Sequence, residues 1–298
     1  MIKPKLSIII ISYNTKKITL DCINSIIKSV KNSFFKYEII VVDNDSKDGT
    51  VQSINKLYNN YSNIRIIVNR ENIGFAKANN QAVKPAQGKY LLFLNSDIIV
   101  LNDAINKLFQ FYKHNEDKIH FLGGKLFEKD GVTPQPSCGP FYSLPVIFAA
   151  LFLKGDYWGF TRYSPNKLKK VDWVSGACIL TKKEYFNKIN GFDEKIFMYM
   201  DEIDLLYRAK KTGFNTFFYP DAHYIHFGSA SSKGRTYPIL QVYQGFLYLY
   251  KKHFPRSLFF LKLLLKLKAW LAIAIGKLTN NQYAIKTYEQ ALKNMSMV

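Results

Sequence analysis

The sequence predicts an α/β protein with a mostly parallel central sheet and helices on both faces. Through residues 6–94, short runs of β-branched and aliphatic residues alternate with segments of helical length. The runs are almost continuously apolar, which is typical of strands buried on both sides of a parallel sheet. Polar clusters follow three of these runs, and open parallel sheets bind ligands beyond the carboxyl ends of their strands. A ligand site is therefore expected along that edge.

The predicted elements alternate regularly along the chain. Strands and helices are expected in turn at Leu6–Ser12, Thr19–Lys31, Tyr37–Asp43, Thr50–Tyr61, Ile64–Val68, Ala76–Ala86 and Tyr90–Leu94. A helix over Asp103–His114 follows. The prolines of Gly123–Lys170 predict a long, partly ordered excursion of the kind that shapes a substrate pocket. A second ordered block is expected over residues 171–229.

The chain of 298 residues is strongly basic, with a net charge of +20. Its 48% of hydrophobic residues is ample material for a packed core and excludes a disordered basic chain. Residues 230–298 alone carry a net charge of +10 and hold the most apolar stretch, Leu258–Leu278. A membrane-spanning helix is disfavoured because Lys262, Lys266 and Lys268 interrupt the ~20 apolar residues that it would need.

An interfacial helix explains this stretch better. On a helix, Lys262, Lys266 and Lys277 project to one side. The other side is apolar and is formed by Phe260, Leu264, Leu267 and Leu271. The apolar side would enter the acyl boundary of a membrane, and the lysines would lie near anionic head groups. The alternative is an ordinary amphipathic helix packed on its own domain.

Several ligand classes lack their sequence signatures. Nucleic acid attracts basic chains, but no helix-turn-helix, zinc-finger or RNP-type motif is present. The turn Ser12–Thr15 contains no glycine, which disfavours a dinucleotide fold, and there is no GxxxxGK[ST] loop. Cys22, Cys138 and Cys178 form no CxxC pair, which argues against a disulfide framework or a zinc site and favours a reducing cytosol. The first apolar run is too short for a secretory signal.

Acidic residues at the strand ends offer a different chemistry. Asp43 ends an apolar strand, where its carboxylate could accept hydrogen bonds from a base N–H or a ribose hydroxyl. A cap on the following turn is an equally good interpretation. Asp97 ends a later polar cluster. One Asp with nearby oxygens is a poor metal site by itself, but a bound diphosphate supplies further oxygen ligands for Mg²⁺ or Mn²⁺.

Paired acids, Asp201 and Glu202, stand at the start of a predicted helix that ends near Gly213. Acids are favoured there simply by the unpaired N–H groups and the helix dipole. Asp204 and Arg208 are spaced i,i+4, as in an ordinary surface or helix pair. These explanations account for some of the acids and leave a function open for the others.

A set of short motifs runs in order through residues 6–229. The first four are Leu6–Asn14, Val41–Ser46 with Asp48–Thr50, Asn72–Phe75 with Asn79, and Leu94–Asp97. The later four are Trp173–Ala177, Gly191–Glu194, Met200–Leu205 and His226–Ser229. Each motif is weak alone, but the ordered set resembles the inverting GT-A glycosyltransferases of family 2, and among them the rhamnosyltransferase-like members.

The resemblance implies a GT-A fold and a set of site residues. Those that would contact the nucleotide sugar are Tyr13, Asp43, Asp45, Asn72, Gly74, Asn79, Asn95 and Ser96. The motif ending at Asp97 matches the family's DxD position with Asn in place of the first Asp, which leaves Asp97 as the metal ligand. His226 matches a late histidine that completes the metal site in relatives, and imidazole suits Mn²⁺ better than Mg²⁺.

The same resemblance implies a reaction. Glu202 would remove the proton from an acceptor hydroxyl, with Asp201 as the alternative base. The expected enzyme is an inverting, metal-dependent glycosyltransferase that moves a sugar onto a lipid-linked saccharide in cell-surface polysaccharide synthesis, with L-rhamnose from dTDP-rhamnose as the first candidate. A UDP-hexose donor is one alternative, and a non-catalytic nucleotide-sugar or membrane-surface binding protein is another.

The expected organisation is a GT-A domain at residues 1–235 and a basic, amphipathic helical extension at residues 236–298. Residues 1–122 would bind the nucleotide sugar, and residues 123–235 would bind the acceptor. The expected partners are the donor, the saccharide acceptor and an anionic membrane surface met by the C-terminal segment, without nucleic acid. The expected location is cytoplasmic, peripheral to the inner face of the cell membrane.

Overall fold

The computed structural model describes residues 3–228 and 236–295. Its strands are β1 (Leu6–Ser12), β2 (Tyr37–Asp43), β3 (Ile64–Val68), β4 (Tyr90–Asn95), β5 (Ile98–Val100), β6 (Phe121–Phe127), β7 (Pro134–Gln135), β8 (Cys138–Gly139), β9 (Lys169–Val171), β10 (Trp173–Val174), β11 (Cys178–Lys182) and β12 (Thr216–His226). Its helices are α1 (Lys16–Val30), α2 (Thr50–Tyr58), α3 (Phe75–Val83), α4 (Ala104–His114), α5 (Leu144–Phe152), α6 (Lys183–Lys188), α7 (Asp201–Lys211), α8 (Thr236–His253), α9 (Leu258–Leu278) and α10 (Gln282–Met295). The predicted alternation of strands and helices is confirmed from β1 to β4.

Within the described residues, ten strands form one sheet in the order β3-β2-β1-β4-β11-β6-β12-β5, with β7 paired to β6 and β9 to β12. Strands β1 to β4 are parallel to one another. Strand β11 is antiparallel to β4 and β6, whereas β12 is parallel to β6. The sheet is therefore parallel in its N-terminal half and mixed in its C-terminal half.

Helices cover both faces of the parallel half. Successive strand residues point to opposite faces of the sheet, so each strand has side chains that can pack on either side. Ile8 and Ile10 of β1 belong to a buried cluster with residues of α1, α2 and α4. On the opposite face of β4, the Phe93 ring packs on Phe186 of α6 and on Phe192, with ring centroids 5.1 and 5.3 Å apart. The predicted α/β class, with helices on both faces, is confirmed.

The segment Gly123–Lys170 contains more regular structure than its glycines and prolines predict. Gly123 and Gly124 lie inside the buried strand β6. A Cβ on Gly123 would come within 2.6 Å of the Val174 Cβ, and one on Gly124 would collide with the Tyr224 ring. The glycines therefore serve a close approach of neighbouring segments and do not form a loop. Strand β6 also runs across residue 122, at which the predicted donor and acceptor halves divide.

The chain forms two compact units. As far as their residues are described, one consists of Met1–Pro140, Arg162–Phe197 and Asp201–Ser231, and the other of Phe141–Thr161, Met198–Met200 and Ser232–Val298. The second unit contains the predicted C-terminal helices, α8 to α10, and also α5. Among the described residues, none of the helices is both long and apolar enough to cross a membrane. The functional division at residue 235 stays a prediction.

Candidate active site

The carboxyl ends of β1, β2 and β4 form the edge at which the site was predicted. Strand β1 lies between the other two, and the strand register pairs Ser12 with Asp43 on one side and Ile11 with Asn95 on the other. Because the three strands are parallel, the polar residues that follow them meet at one edge. The groups predicted around Asp43 and Asn95 therefore lie on either side of β1.

Asp43 is 1% exposed and uses its two carboxylate oxygens differently. Oδ1 accepts a hydrogen bond from the backbone N–H of Ser46 at 2.8 Å, which is the turn-capping role. Oδ2 is buried and has no hydrogen-bond partner among the described residues. A buried acceptor without a partner is rare and calls for a ligand, a water or a strained state to explain it. Oδ1 therefore has the turn-capping role that the sequence suggested, and Oδ2 can accept a hydrogen bond from a base or a ribose, which was the other interpretation.

The loop after β2 is tied to the end of β1. Asn14 donates its backbone N–H to Ser46 Oγ at 2.8 Å and accepts the Lys47 N–H through Oδ1 at 2.7 Å. The Asp45 carboxylate forms an ion pair of 2.5 Å with the Lys47 side chain. Tyr13 is partly exposed. The loop therefore leaves Tyr13 accessible to a ligand, whereas a lysine already engages Asp45.

Asn72 and Gly74 shape the backbone between β3 and α3. The Asn72 side-chain oxygen accepts the Gly74 N–H at 3.1 Å. Gly74 has a φ of 86°, and a Cβ there would come within 2.9 Å of Phe197, so glycine is required. Asn79 is 1% exposed and donates its amide to a main-chain carbonyl one turn earlier in α3, at 3.0 Å. Asn72 and Gly74 thus fix the backbone at this edge, and Asn79 is bonded to its own helix.

The end of β4 meets the end of β12. The Nε2 atom of His226 lies 3.4 Å from Asp97 Oδ1 and 3.3 Å from the amide nitrogen of Asn95. Asp97 is 7% exposed, and the side-chain oxygen of Asn95 is buried with no partner within the described part of the chain. Ser96 is buried as well, with its hydroxyl 3.4 Å from that of Thr15. The structure thus brings together the two predicted metal ligands.

Gln135 of β7 completes this arrangement and was missed by the sequence analysis. Its side-chain oxygen lies 2.7 Å from Nδ1 of His226, so Nδ1 carries the proton and donates it in a hydrogen bond. Nε2 is then left with a lone pair on the side of Asp97. No sequence signal could have identified Gln135, because it is 91 residues from His226 and belongs to none of the recognised motifs.

The Asp97 carboxylate and the His226 imidazole fit a divalent metal ion as two protein donors. A carboxylate oxygen suits Mg²⁺ and Mn²⁺, and imidazole favours Mn²⁺. The fit rests on the Nε2 lone pair, which lies 3.4 Å from Asp97 Oδ1. Within residues 3–228 and 236–295, no group of three or more His, Cys, Asp or Glu side chains is arranged to hold a metal. Other oxygen ligands would have to come from a diphosphate or water.

Helix α7 begins at the paired acids, as predicted. Tyr199 and Met200, which precede it, have left-handed φ values of 63° and 65°. Two adjacent non-glycine residues in this conformation are strained, and such strain concentrates at functional sites. Asp201 is 4% exposed, whereas Glu202 keeps partial exposure to solvent. Of the two residues, Glu202 has the larger exposed surface, although its carboxyl group is buried.

Glu202 lies against the segment before β11. A Cβ on Gly176 would lie 3.6 Å from the Glu202 Cβ, and the next residue, Ala177, accepts the Asn95 N–H at 3.2 Å. Glu202 is thereby held near the end of β4. Burial raises the pKa of the Glu202 carboxyl, while backbone N–H groups and the Arg162 guanidinium act in the opposite direction. A carboxyl with a raised pKa is suited to accept a proton near neutral pH.

The Asp204–Arg208 pair of α7 is a helix pair, but it does not lie on the surface. Asp204 is fully buried, and Arg208 Nε donates to its Oδ2 at 2.7 Å. Arg208 also donates to the backbone carbonyls of Ile189 and Gly191. The interpretation as a surface pair is therefore wrong. The buried pair ties α7 to the turn after α6 and so holds the helix that presents Glu202.

Comparisons with known proteins concern the family and the fold. Residues 7–189 match the family model for glycosyl transferase family 2. The chain is 28% identical over 217 residues to N-acetylglucosaminyl-diphospho-decaprenol L-rhamnosyltransferase of Mycobacterium tuberculosis (strain CDC 1551 / Oshkosh), which covers 66% of this chain and 68% of that protein. It is 28% identical over 229 residues to rhamnosyltransferase WbbL of Escherichia coli (strain K12), which covers 74% of this chain and 82% of WbbL.

Among solved structures, the fold is similar to that of GalNAc-T7 with UDP, GalNAc and Mn²⁺, at a TM-score of 0.59 and 14% sequence identity. The match covers 84% of this chain and 48% of the other, so this chain spans about half of the GalNAc-T7 chain. At this identity the similarity concerns the fold alone. It confirms the predicted GT-A fold.

Proposed function

Since the chain belongs to glycosyl transferase family 2 and is a rhamnosyltransferase-like glycosyltransferase, we propose that it is an inverting, metal-dependent enzyme. It transfers L-rhamnose from dTDP-rhamnose to a hydroxyl of a lipid-linked saccharide in cell-surface polysaccharide synthesis. The observation that carries the proposal is the convergence of three features at one sheet edge. These are the unpartnered Asp43 oxygen, the Asp97–His226 pair, and Glu202 beside the end of β4.

Donor binding uses the unpartnered acceptor at β2. Asp43 Oδ2 accepts a hydrogen bond from the nucleotide base or from a ribose hydroxyl, while Oδ1 keeps the turn in place. Tyr13 packs on the nucleotide, and the backbone shaped by Asn72 and Gly74 lines the donor site. Asp97 and His226 would hold the metal ion. When bound, Mn²⁺ or Mg²⁺ supplies a Lewis acid for the charge that develops on the departing diphosphate.

Glu202 is the base of the reaction. Its carboxylate takes the proton of the acceptor hydroxyl as that oxygen bonds to the anomeric carbon. The bond from that carbon to the diphosphate oxygen breaks on the opposite face, and its electron pair leaves with the nucleoside diphosphate. A single displacement of this kind inverts the anomeric centre and requires no covalent intermediate. Asp201 is buried beside Glu202 and orients it or contacts the acceptor.

The names of the similar proteins support the donor and the acceptor class. Both relatives described above are named rhamnosyltransferases, and one name specifies an acceptor with a diphospho-decaprenol anchor. A lipid-anchored acceptor requires the enzyme to work at a membrane surface. We therefore propose a cytoplasmic location at the inner membrane face, with residues 236–298 as the basic extension that meets anionic lipid. Residues 1–122 would bind the donor and residues 123–235 the acceptor.

A UDP-hexose donor is the second candidate. The GalNAc-T7 structure, which has a similar fold, contains UDP and GalNAc. The Asp43 oxygen can serve either base, since uracil and thymine present the same ring N–H. A panel of dTDP- and UDP-sugars, scored by the rise in apparent melting temperature on binding, separates the two candidates. Stabilisation by UDP-hexoses without stabilisation by dTDP-rhamnose contradicts the rhamnose assignment.

Nucleoside diphosphate release tests the reaction itself. Wild type, Glu202→Gln and Asp97→Ala are assayed with Mn²⁺, a nucleotide sugar and a lipid extract that contains the acceptor. We expect Glu202→Gln to lower kcat by about 10²- to 10⁴-fold. Glu184→Gln, at an exposed site on α6, is the matched control and should retain activity. Equal activity in all four proteins would refute the residue assignment, and no release with any donor would favour a non-catalytic binding protein.

A further inference from the structure

Helix α5 is an apolar helix that is only partly covered. All nine of its residues are described and apolar, yet only Ile147 among them is buried. Phe148 is 42% exposed, and Leu153, directly after the helix, is 52% exposed. Apolar surface in contact with water is unfavourable by about 25 cal/mol per Å², so a helix of this composition normally packs against a partner.

Residues 153–160, the α5 loop, hold exposed aromatic side chains on a fixed backbone. The exposed residues are Tyr157 at 79%, Trp158 at 64% and Phe160 at 63%. The Gly155 N–H donates to the Ala149 carbonyl at 2.9 Å, and the Phe160 N–H donates to the Gly155 carbonyl at 2.8 Å. These bonds close the loop on the end of α5. The aromatic side chains are therefore presented outward by an ordered turn.

The apolar surface of α5 continues onto α9. A groove of about 310 Å³ is lined by Leu151 and Phe152 of α5 and by residues of α9 that include Leu271 and Ile275. Lys268 of α9 places its Nζ 5.9 Å from the centroid of the Phe152 ring. The two helices thus share one surface within their unit, with a lysine at their junction.

Helix α9 has a stripe of exposed apolar side chains opposite its buried side. The exposed residues recur every three or four positions and include Phe260, Leu263, Leu267, Trp270, Leu271 and Leu278. The buried ones are Leu261, Leu265, Ala269 and Gly276. On a helix of ~3.6 residues per turn, Lys262, Lys266 and Lys268 fall between the two stripes. Lysines beside an exposed apolar stripe are typical of a helix that lies in a membrane interface.

We propose that α5, the α5 loop and α9 dock together on an anionic bilayer, with Tyr157, Trp158 and Phe160 in the interface. This inference rests on the membrane location proposed above and adds a contact outside the C-terminal segment. Tyr and Trp favour the head-group level, where one end of the ring is apolar and the other is wet.

The positive charge of the unit that contains α5 and α9 favours an anionic bilayer as the partner of this apolar surface. In the described part of this unit, ten Lys or Arg residues stand against two acids, Asp156 and Glu289. The Asp156 carboxylate also accepts a hydrogen bond from the Thr161 hydroxyl. A second copy of the chain would bring lysines against lysines across a symmetric interface, which is unfavourable. An anionic lipid surface meets both the lysines and the apolar stripe.

Tryptophan emission reports directly on the α5 loop. In Trp270→Phe protein, Trp158 is the exposed member of the two remaining tryptophans, because Trp173 is 3% exposed. The full chain is mixed with vesicles of phosphatidylcholine, with or without phosphatidylglycerol. We expect a shift of the emission to shorter wavelength on anionic vesicles and quenching by brominated acyl chains. Trp158→Phe protein, which retains Trp270, reports on α9 in the same way.

Vesicle sedimentation tests the energetic contribution of the loop. We expect the double variant Trp158→Ser/Phe160→Ser to bind anionic vesicles at least about tenfold more weakly than wild type, because two aromatic side chains no longer leave water. Phe34→Ser, at a residue of the first unit that is 58% exposed, is the matched control and should bind normally. Circular dichroism verifies that each variant is folded.

The outcomes separate this inference from the proposed function. Quenching of Trp270 without quenching of Trp158, or unchanged binding of the double variant, would overturn the role of the α5 loop and leave the α9 contact intact. Self-association of wild type that the double variant loses, without vesicle binding, would assign the surface to a second copy and overturn the inference. Nucleoside diphosphate release in detergent tests glycosyl transfer independently of either result.

Discussion

The two ends of strand β2 carry buried carboxylates that differ in how completely they are hydrogen-bonded. At the amino end, Glu38 is 3% exposed and accepts three hydrogen bonds of 2.6 Å, from the Ser7 hydroxyl, the Gln87 N–H and the Arg65 guanidinium. At the carboxyl end, Asp43 is 1% exposed, and one of its oxygens has no partner among the described residues. Strand β2 thus has a fully hydrogen-bonded carboxylate at its amino end and an incompletely hydrogen-bonded one at its carboxyl end.

Under the proposed function, the difference separates a carboxylate that stabilises the fold from one that binds the donor. A buried acceptor without a partner lowers stability by about 1–3 kcal/mol, so a protein retains one mainly where function requires it. The Asn95 oxygen repeats the pattern at the end of β4. These two oxygens lie at the carboxyl edge of the sheet, and the satisfied Glu38 lies at the opposite edge. Other buried oxygens without a partner among the described residues lie elsewhere, as at Ser29 of α1 and Asn106 of α4. Stability and ligand binding should therefore respond to mutation at opposite ends of the strand.

The largest effect on folding is expected from Glu38→Ala. The Ser7 hydroxyl would lose its acceptor and keep only the bond from the Gly88 N–H, and the Gln87 N–H and the Arg65 guanidinium would lose their partner. The free energy of unfolding should therefore fall by about 3–5 kcal/mol. Urea unfolding measures this change, with the exposed Glu184→Ala as the control, for which a change within about 0.5 kcal/mol is expected. The dissociation constant for a nucleoside diphosphate should not change in the folded variant. Weaker nucleotide binding would show that the two ends of β2 are not independent.

Asp43→Asn tests the opposite end of the strand. Asparagine keeps an oxygen for the Ser46 N–H and replaces the unpartnered acceptor by an amide NH2 group, which can only donate. Nucleotide binding should weaken by about 10- to 100-fold, the equivalent of one hydrogen bond to a charged group. The free energy of unfolding should stay the same or rise, because an incompletely bonded buried charge is removed. Calorimetric titration and urea unfolding measure the two quantities; a loss of stability with unchanged binding would make Asp43 purely structural.

Much of the parallel half could be predicted because its signals are local. Strands of continuous apolar residues, with polar residues immediately after them, define both the sheet and its binding edge, and β1 to β4 lie where the pattern predicts them. The two possible roles of Asp43 could not be separated from the sequence. They depend on which oxygen meets the Ser46 N–H, and that is a property of the folded turn.

Other features depend on contacts between distant segments and leave no local signal. Gly123 and Gly124 read as loop residues, because nothing near them in sequence reveals that Tyr224 and Val174 approach them in the fold. Helix α5 was not predicted because it lies in a proline-rich stretch. Its own proline, Pro145, is in the first turn, where proline is compatible with a helix. Predicting these features requires the tertiary partners, which lie tens of residues away.

Gln135→Leu should weaken metal binding without disturbing the ligands themselves. The Gln135 oxygen holds the proton on Nδ1 of His226, so the Nε2 lone pair, which lies 3.3 Å from the Asn95 amide nitrogen, is the one that would bind a metal. Loss of such a supporting partner typically lowers metal affinity by about 10- to 100-fold. The electron paramagnetic resonance signal of free Mn²⁺, titrated in the presence of a nucleoside diphosphate and without acceptor, measures this affinity. Gln135→Glu retains an acceptor and should restore it; equal Mn²⁺ affinity in wild type and Gln135→Leu would contradict the role.

The smallest expected effect is a shift in pH dependence caused by Arg162→Gln. Glu202 must be deprotonated to act as the base, so kcat/KM falls as the pH drops through its pKa. Burial raises that pKa and the Arg162 guanidinium lowers it. Removing the guanidinium should therefore raise the pKa further and move the acidic limb of the profile to higher pH, with little change on the alkaline plateau. Arg162→Lys keeps the charge and should shift the limb less; a limb that does not move in Arg162→Gln would show that a group other than Glu202 sets the pH dependence.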